Sequence, residues 1–329
     1  MTIANSIPER PVRTLVCGAS GFIGAALVRR LVSRGADVVA LSRGRGRLGP
    51  ASTRFRFIAC DLCDAEQTRQ AIDLCKPQMV FYLAGHPDRK EDSAQLNLVI
   101  QNNIVALANL LDALTSLPSV SLIYGDSAKV YGNGAVPFRS SQALDPLSSY
   151  SVSKETGWRL IDVYRRVHGL QALGLRPTLV YGAEQSFNLF SFIINVIQSG
   201  REEIALDGGG QTRDPLYIDD VIDAFVLAAE RVRQLNGMNI PMGGGDERTV
   251  EDIARTAVRV LGGRQTVTVC ASSLRPTETM RSWCDNAEAF ELLGWRPRVG
   301  LEEGIRRTAG SRAVGNKLPP LLTTANQGV

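Results

Sequence analysis

Along the first half of the chain, short β-branched and apolar runs alternate with stretches whose apolar positions recur every three to four residues. That pattern predicts buried strands joined by amphipathic helices. The strands fall at residues 12–17, 37–41, 55–59, 79–83, 120–124 and 172–175, and the helices at 22–33, 65–74, 96–114 and 150–167. Gly35 closes the first helix, as a left-handed residue commonly does. Because parallel crossovers are right-handed, this order predicts an α/β fold with a doubly wound parallel sheet over residues 12–182. After Gly182 the regularity breaks. Helices at 221–233, 250–261 and 287–293 are separated by Gly- and Pro-rich turns, which predicts a smaller mixed α/β C-terminal lobe over residues 183–309, crossing back to the sheet and holding substrate. Residues 1–11 are expected to be flexible. Residues 310–329 lack periodicity and contain Pro319 and Pro320, so a mobile tail is expected there. No internal repeat is present.

Composition narrows the class. Hydrophobic residues make up 44% and charged residues 21% of 329, values of an ordinary globular protein with a sizeable core. The net charge of +4 is spread along the chain apart from Arg43, Arg45 and Arg47, which argues against a nucleic-acid partner. No stretch approaches the roughly 18 apolar residues of a membrane span, and residues 1–11 hold no apolar core of signal-peptide length. A cytoplasmic protein with no membrane partner is expected. Six cysteines do not make a disulfide framework in a chain this long. Cys60 and Cys63 form a CxxC spacing, but only His86 and His168 could complete a metal site, so the pair reads as small residues beside a strand end and no metal is expected.

The candidate chemistry begins where the first strand meets Gly18-Ala-Ser-Gly21-Phe-Ile-Gly24. Glycines in a strand-to-helix turn allow the backbone to approach a pyrophosphate, and the helix start offers it free N–H groups. Gly18, Ser20, Gly21, Phe22, Ile23 and Gly24 are therefore candidate dinucleotide contacts, and the GxxGxxG spacing resembles the short-chain dehydrogenase/reductase superfamily. At the end of the second strand an NAD enzyme usually carries a carboxylate for the ribose diol. Here the sequence is Leu41-Ser42-Arg43. A guanidinium at Arg43 suits a 2′-phosphate, so NADP(H) is favoured, with NAD(H) as the alternative.

Tyr150 and Lys154 stand four residues apart at the start of a predicted helix, which puts both on one face one turn apart. A phenol of ordinary pKa about 10 exchanges protons poorly at neutral pH, and a neighbouring ammonium favours the phenolate. Ser127, after the fifth strand, supplies a hydroxyl that could align a reacting oxygen with Tyr150.

With these residues in view, the chain resembles the extended short-chain dehydrogenases, the NAD-dependent epimerase/dehydratase group acting on nucleotide sugars, from about residue 12 to 307. The resemblance implies a Rossmann-type fold, a Ser127/Tyr150/Lys154 triad and a nucleotide-diphosphate sugar as substrate. It places Asp61 and Leu62 at the adenine, Leu83, Ala84 and Gly85 in a cofactor turn, and Pro177 and Thr178 beside the nicotinamide. Arg213 and Arg275 would hold the diphosphate, and Asn188 and Leu189 would open a helix facing it. Arg213-Asp-Pro-Leu-Tyr-Ile-Asp-Asp-Val221 and Leu293-Gly-Trp-Arg-Pro297 resemble further motifs of the group. A homodimer through helices 96–114 and 158–167 is also implied.

Two departures narrow the reaction. The group's 4,6-dehydratases carry Asp and Glu after the triad Ser/Thr, whereas this chain has Ala128 and Lys129, which disfavours dehydration. The asparagine common in the sixth-strand segment of epimerases is Leu179. Arg43 and Leu179 together favour an NADPH-dependent 4-ketoreductase of a keto-deoxysugar nucleotide, with an epimerase retaining NAD as the alternative. A silent dinucleotide-binding protein is the third reading, disfavoured by the intact Ser/Tyr/Lys set.

Overall fold

Apolar runs flanked by glycine turns become strands buried on both faces. A computed structural model describes residues 12–50, 52–87, 91–117, 119–185, 188–270 and 274–313. The chain runs β1 (Arg13–Cys17), α1 (Phe22–Ser33), β2 (Asp37–Ser42), β3 (Phe55–Ala59), α2 (Ala65–Cys75), β4 (Met79–Tyr82), α3 (Ser93–Val99), a π-helical turn (Ile100–Val105) and α4 (Ala106–Leu114). It continues through β5 (Ser121–Gly125), a 3-10 turn (Ala128–Tyr131), α5 (Ser149–His168), β6 (Gln171–Pro177), β7 (Leu179–Tyr181), α6 (Leu189–Gln198), β8 (Glu203–Asp207), β9 (Thr212–Arg213) and β10 (Pro215–Tyr217). It ends with α7 (Ile218–Arg231), β11 (Asn239–Met242), β12 (Arg248–Thr249), α8 (Val250–Val260), β13 (Thr266–Cys270), α9 (Ala287–Leu293) and α10 (Leu301–Ala313).

Seven strands form a parallel sheet in the order β11-β6-β5-β4-β1-β2-β3. This is the doubly wound Rossmann-type fold. Its switch point lies between β1 and β4, where the connections depart in opposite directions and a crevice opens at the strand C-termini. Alternation along each strand divides the core. Val16 joins the apolar layer with α1 and α7 on one face, while Leu15 and Cys17 join the layer with α2, α4 and α5 on the other.

Several boundaries differ from the pattern-based expectation for local physical reasons. β4 stops at Tyr82, which frees Leu83, Ala84 and Gly85 to turn over the sheet edge. The helix expected at 96–114 begins at Ser93, where the Asp92 side chain accepts the Gln95 N–H at 2.8 Å, and it widens into the π turn. α5 begins at Ser149 because Ser148 and Ser151 form a reciprocal capping box, and it is closed by Gly169 at φ 72°; such a cap contributes about 1 kcal/mol. α7 begins at Ile218 rather than 221. The helix α10 includes residues 310–313, so the segment read as an aperiodic tail starts as helix. The flexible start expected at 1–11 and the remaining tail, 314–329, lie outside the described residues. No helix among the described residues is long and apolar enough to cross a membrane.

Candidate active site

The crevice at the switch point is built by close backbone contacts. Gly18 has φ +75°, a conformation that favours glycine, and a Cβ there would lie 2.6 Å from the Ala84 nitrogen. At Gly24 a Cβ would run into the Gly18 carbonyl oxygen, so α1 can start this near β1 only without a side chain. Gly21 caps α1 with no side-chain hydrogen bond, and the first turn holds no carboxylate. Ser20, Phe22 and Ile23 occupy the same turn. Uncapped N–H groups without a competing negative charge suit a pyrophosphate, and the residues present fit a dinucleotide.

The other candidate cofactor residues surround this turn. Leu83 donates its N–H to the Cys17 carbonyl at 3.0 Å, which holds the Leu83-Ala84-Gly85 turn beside β1. Asp61 is half-buried and accepts the Cys63 N–H at 3.0 Å, while Leu62 is buried. Arg43 is exposed in the loop after β2. That loop folds back on the glycine turn: a Cβ at Gly46 would lie 3.0 Å from Ser20 Cβ. Burial and Asp61 push the Cys63 thiol up, and the Arg43 guanidinium acts against them. Cys60 is likewise pushed up by burial, and no group of three or more potential metal ligands occurs among the described residues.

The catalytic candidates converge at the C-terminal end of β5. Lys154 is 6% exposed, and its Nζ donates to the Gly125 carbonyl at 2.7 Å. The same Nζ stands 5.8 Å from the centroid of the half-buried Tyr150 ring and 5.1 Å from that of Tyr124. Gly125 precedes Ser127 by two residues, so this bond brings Lys154, and with it the neighbouring Tyr150 ring, to the strand end that Ser127 follows. Ser127 caps the 3-10 turn, its Oγ accepting the Lys129 N–H at 3.3 Å. Burial pushes the Lys154 ammonium down to about 8, and Asp126 acts against that shift.

Helix α5 reaches this position because Gly157 lets it settle on Tyr124, whose hydroxyl donates to the Lys154 carbonyl at 3.2 Å. Asn103, in the π turn, joins α5 to the cofactor turn. Its Nδ2 donates to Ser153 Oγ at 2.8 Å and to the His86 carbonyl at 3.2 Å, and its Oδ1 accepts the His86 N–H. A Cβ at Gly85 would lie 3.1 Å from Asn103 Oδ1 and 3.8 Å from Lys154 Nζ. Sequence reasoning passed over Asn103. Its one signal was a polar residue on a stripe otherwise destined for the core, where it is 3% exposed.

Arg213 and Arg275 also meet, through a carboxylate the motif reading left without a role. Glu278 takes an ion pair from Arg213 on Oε1 and bonds of 3.2 and 3.0 Å from Arg275 Nε and Nη2 on Oε2. Two guanidiniums pinned by one carboxylate remain close without repelling each other apart. Arg213 also donates to the Thr279 carbonyl at 2.8 Å. Asn188 caps α6, accepting the Ser191 N–H at 2.8 Å, with Leu189 the first helical residue. Pro177 is buried, and the Thr178 hydroxyl donates to the Asp214 carbonyl at 2.6 Å. Other motif residues are structural: Asp220 Oδ2 accepts the Val299 N–H at 3.0 Å, and its carbonyl accepts the Trp295 indole N–H at 2.9 Å.

With this geometry in hand, comparison with known proteins is specific. A family model described as the NAD dependent epimerase/dehydratase family matches residues 14–241. A UDP-glucose 4-epimerase of Mycolicibacterium smegmatis is 31% identical, the match covering 90% of this chain and 97% of that protein. A probable GDP-L-fucose synthase of Oryza sativa is 28% identical over 93% of each. The crystal structure of a UDP-glucuronic acid 4-epimerase from Bacillus cereus, in complex with UDP-glucuronic acid and NAD, superposes with a TM-score of 0.83 at 27% identity, covering 91% of this chain and 98% of that one.

Proposed function

The chain belongs to the NAD dependent epimerase/dehydratase family, and from that premise we propose that it inverts or reduces C4 of a nucleoside-diphosphate sugar, its first reading being a 4-epimerase that retains NAD. The observation that carries this is the placement of Lys154, its Nζ on the Gly125 carbonyl and 5.8 Å from the Tyr150 ring, at the strand end that Ser127 follows by two residues. The near full-length likeness to a UDP-glucose 4-epimerase moves the balance from the ketoreductase that Arg43 and Leu179 favour.

A dinucleotide held by Gly18, Gly21 and Gly24 would supply a reversible hydride acceptor for the sugar carbon. Tyr150 takes the proton of the C4 hydroxyl on its phenolic oxygen and restores it when the sugar presents its other face. Lys154, held as an ammonium, stabilises the phenolate, and Ser127 donates a hydrogen bond to the sugar oxygen. Arg213 and Arg275 hold the diphosphate while the sugar turns. Ala128 and Lys129 offer no carboxylate for elimination, so dehydration is not part of the proposal.

Incubating natively purified protein with UDP-glucose, UDP-glucuronate and 4-keto sugar nucleotides tests this reading. An epimer formed without net change at 340 nm supports it; stoichiometric NADPH oxidation supports the reductase; neither outcome across the panel rejects both.

The second reading rests on Arg43. If its guanidinium meets a 2′-phosphate, Arg43→Ala weakens NADPH binding by roughly 10- to 100-fold, the worth of one charge-assisted hydrogen bond, and leaves NADH binding unchanged. Equal titration curves for both cofactors before and after the substitution would discard that role. The resemblance also supports a homodimer through the α3–α4 and α5 faces, where Leu96, Leu98, Val152 and Val163 are exposed; light scattering of the eluted protein reads its mass directly.

A further inference from the structure

Asp126 lies between the carbonyl that holds Lys154 and the serine that faces the proposed substrate. Its side chain is fully buried. One carboxylate oxygen accepts the Ser127 N–H at 2.8 Å, and the other accepts Arg176 Nε at 2.8 Å and Asn239 Nδ2 at 2.6 Å. Arg176, also buried, donates from Nη1 to the Tyr131 hydroxyl at 3.1 Å. Asn239 stands on the edge strand β11 and reaches Asp126 across β6, where it is paired with Gly174. A Cβ at Gly174 would lie 2.5 Å from Asn239 Cγ. A glycine inside a strand costs about 0.5–1 kcal/mol relative to alanine, and here the bare position is the passage for the asparagine side chain.

Stability is a poor explanation of such a network. A buried ion pair recovers its desolvation cost only in part, and apolar side chains of similar volume commonly stabilise a core as well or better. What the arrangement provides is a fixed carboxylate directly under the catalytic strand end.

We propose that Asp126 is a positioning residue for both halves of the catalytic set, fixing the Ser127 peptide with one oxygen and stationing a negative charge beside the Lys154 ammonium, with Arg176 and Asn239 as its anchors. The proposal rests on the Ser127/Tyr150/Lys154 reading above. The electrostatics agree with it. Burial pushes Lys154 down, and Asp126 is the charge that opposes this. Burial pushes the Asp126 carboxyl up, and Arg176 and then Lys154 oppose that in turn. Among the described residues, the other groups near Lys154 are Tyr150 on its own helix, the Tyr124 ring on β5, and uncharged Asn103 and Gly85; His86, next along the cofactor turn, pairs its Nε2 with Gln95 at 2.7 Å. Asp126 is thus the anion in this set.

The sign follows. Neutralising Asp126 removes an attraction that favours the ammonium, so Lys154 loses its proton at lower pH and the alkaline limb of kcat moves down with it. The chain contains five lysines, Lys76, Lys90, Lys129, Lys154 and Lys317, so spectra of protein labelled with 13C-lysine resolve Lys154 without substrate. Two variants are compared with wild type: Asp126→Asn, and the double variant Asp126→Asn/Arg176→Gln, which leaves no unpaired buried charge and decides the matter if the single variant does not fold. The Lys154 titration midpoint is expected to fall by about one pH unit in either, with kcat reduced roughly 10- to 100-fold and sugar KM within about twofold. A folded double variant with an unmoved Lys154 midpoint would overturn the proposal and leave the network a structural one. Because the titration needs no turnover, a wild type inactive on every sugar nucleotide would reject the functional reading while the spectra still judged Asp126.

Discussion

Replacing Tyr150 with phenylalanine is expected to lower kcat by about 10²- to 10⁴-fold while cofactor affinity stays within about twofold. Phenylalanine keeps the ring that fills the half-buried site in front of Lys154, so the packing of α5 and the crevice are preserved. What disappears is the phenolic oxygen that the proposed mechanism uses to exchange the proton. Lys154 is not expected to replace it, because its Nζ is tied to the Gly125 carbonyl. Stopped-flow measurement of nicotinamide reduction by the sugar nucleotide isolates the hydride step from product release. Turnover equal to wild type in that assay would remove Tyr150 from the chemistry.

The second large effect belongs to Gly24. A single methyl group there meets the Gly18 carbonyl oxygen, with Ala19 Cα 2.9 Å away, and neither is a flexible side chain that can swing aside. Relief requires α1 to back away from β1. Gly24→Ala is therefore expected to weaken dinucleotide binding roughly a hundredfold, since a displacement near 1 Å at a binding turn has that order of effect, and to cost about 1–3 kcal/mol of stability through overpacking. Calorimetric titration with NAD and NADPH reads the first effect and thermal unfolding the second. A variant with lowered Tm but unaltered affinity would show that the turn does not hold the pyrophosphate. The two substitutions also separate binding from chemistry, for Tyr150→Phe is expected to spare affinity and Gly24→Ala to weaken it.

The sequence by itself determined whatever depends on neighbours along the chain. Apolar runs at strand spacing and glycines at fixed intervals follow from local stereochemistry, so β1, the glycine turn and α1 were readable at 12–33. One helical turn necessarily sets Tyr150 beside Lys154, wherever α5 packs. Motif likeness carried the family and the pair Arg213 and Arg275, but not the Glu278 carboxylate that joins them.

Only the tertiary structure decided the rest. Asp126, Arg176 and Asn239 are separated by 50 and 63 residues, and they meet because β5, β6 and β11 are consecutive in the sheet with Gly174 facing Asn239. Asn103 likewise reaches Ser153 across 50 residues because a π turn rotates it toward α5. A side chain's periodic position tells which face it occupies. Its partner is fixed by strand order, register and backbone approach, which are collective outcomes of packing the whole core and leave no mark at any one place in the sequence.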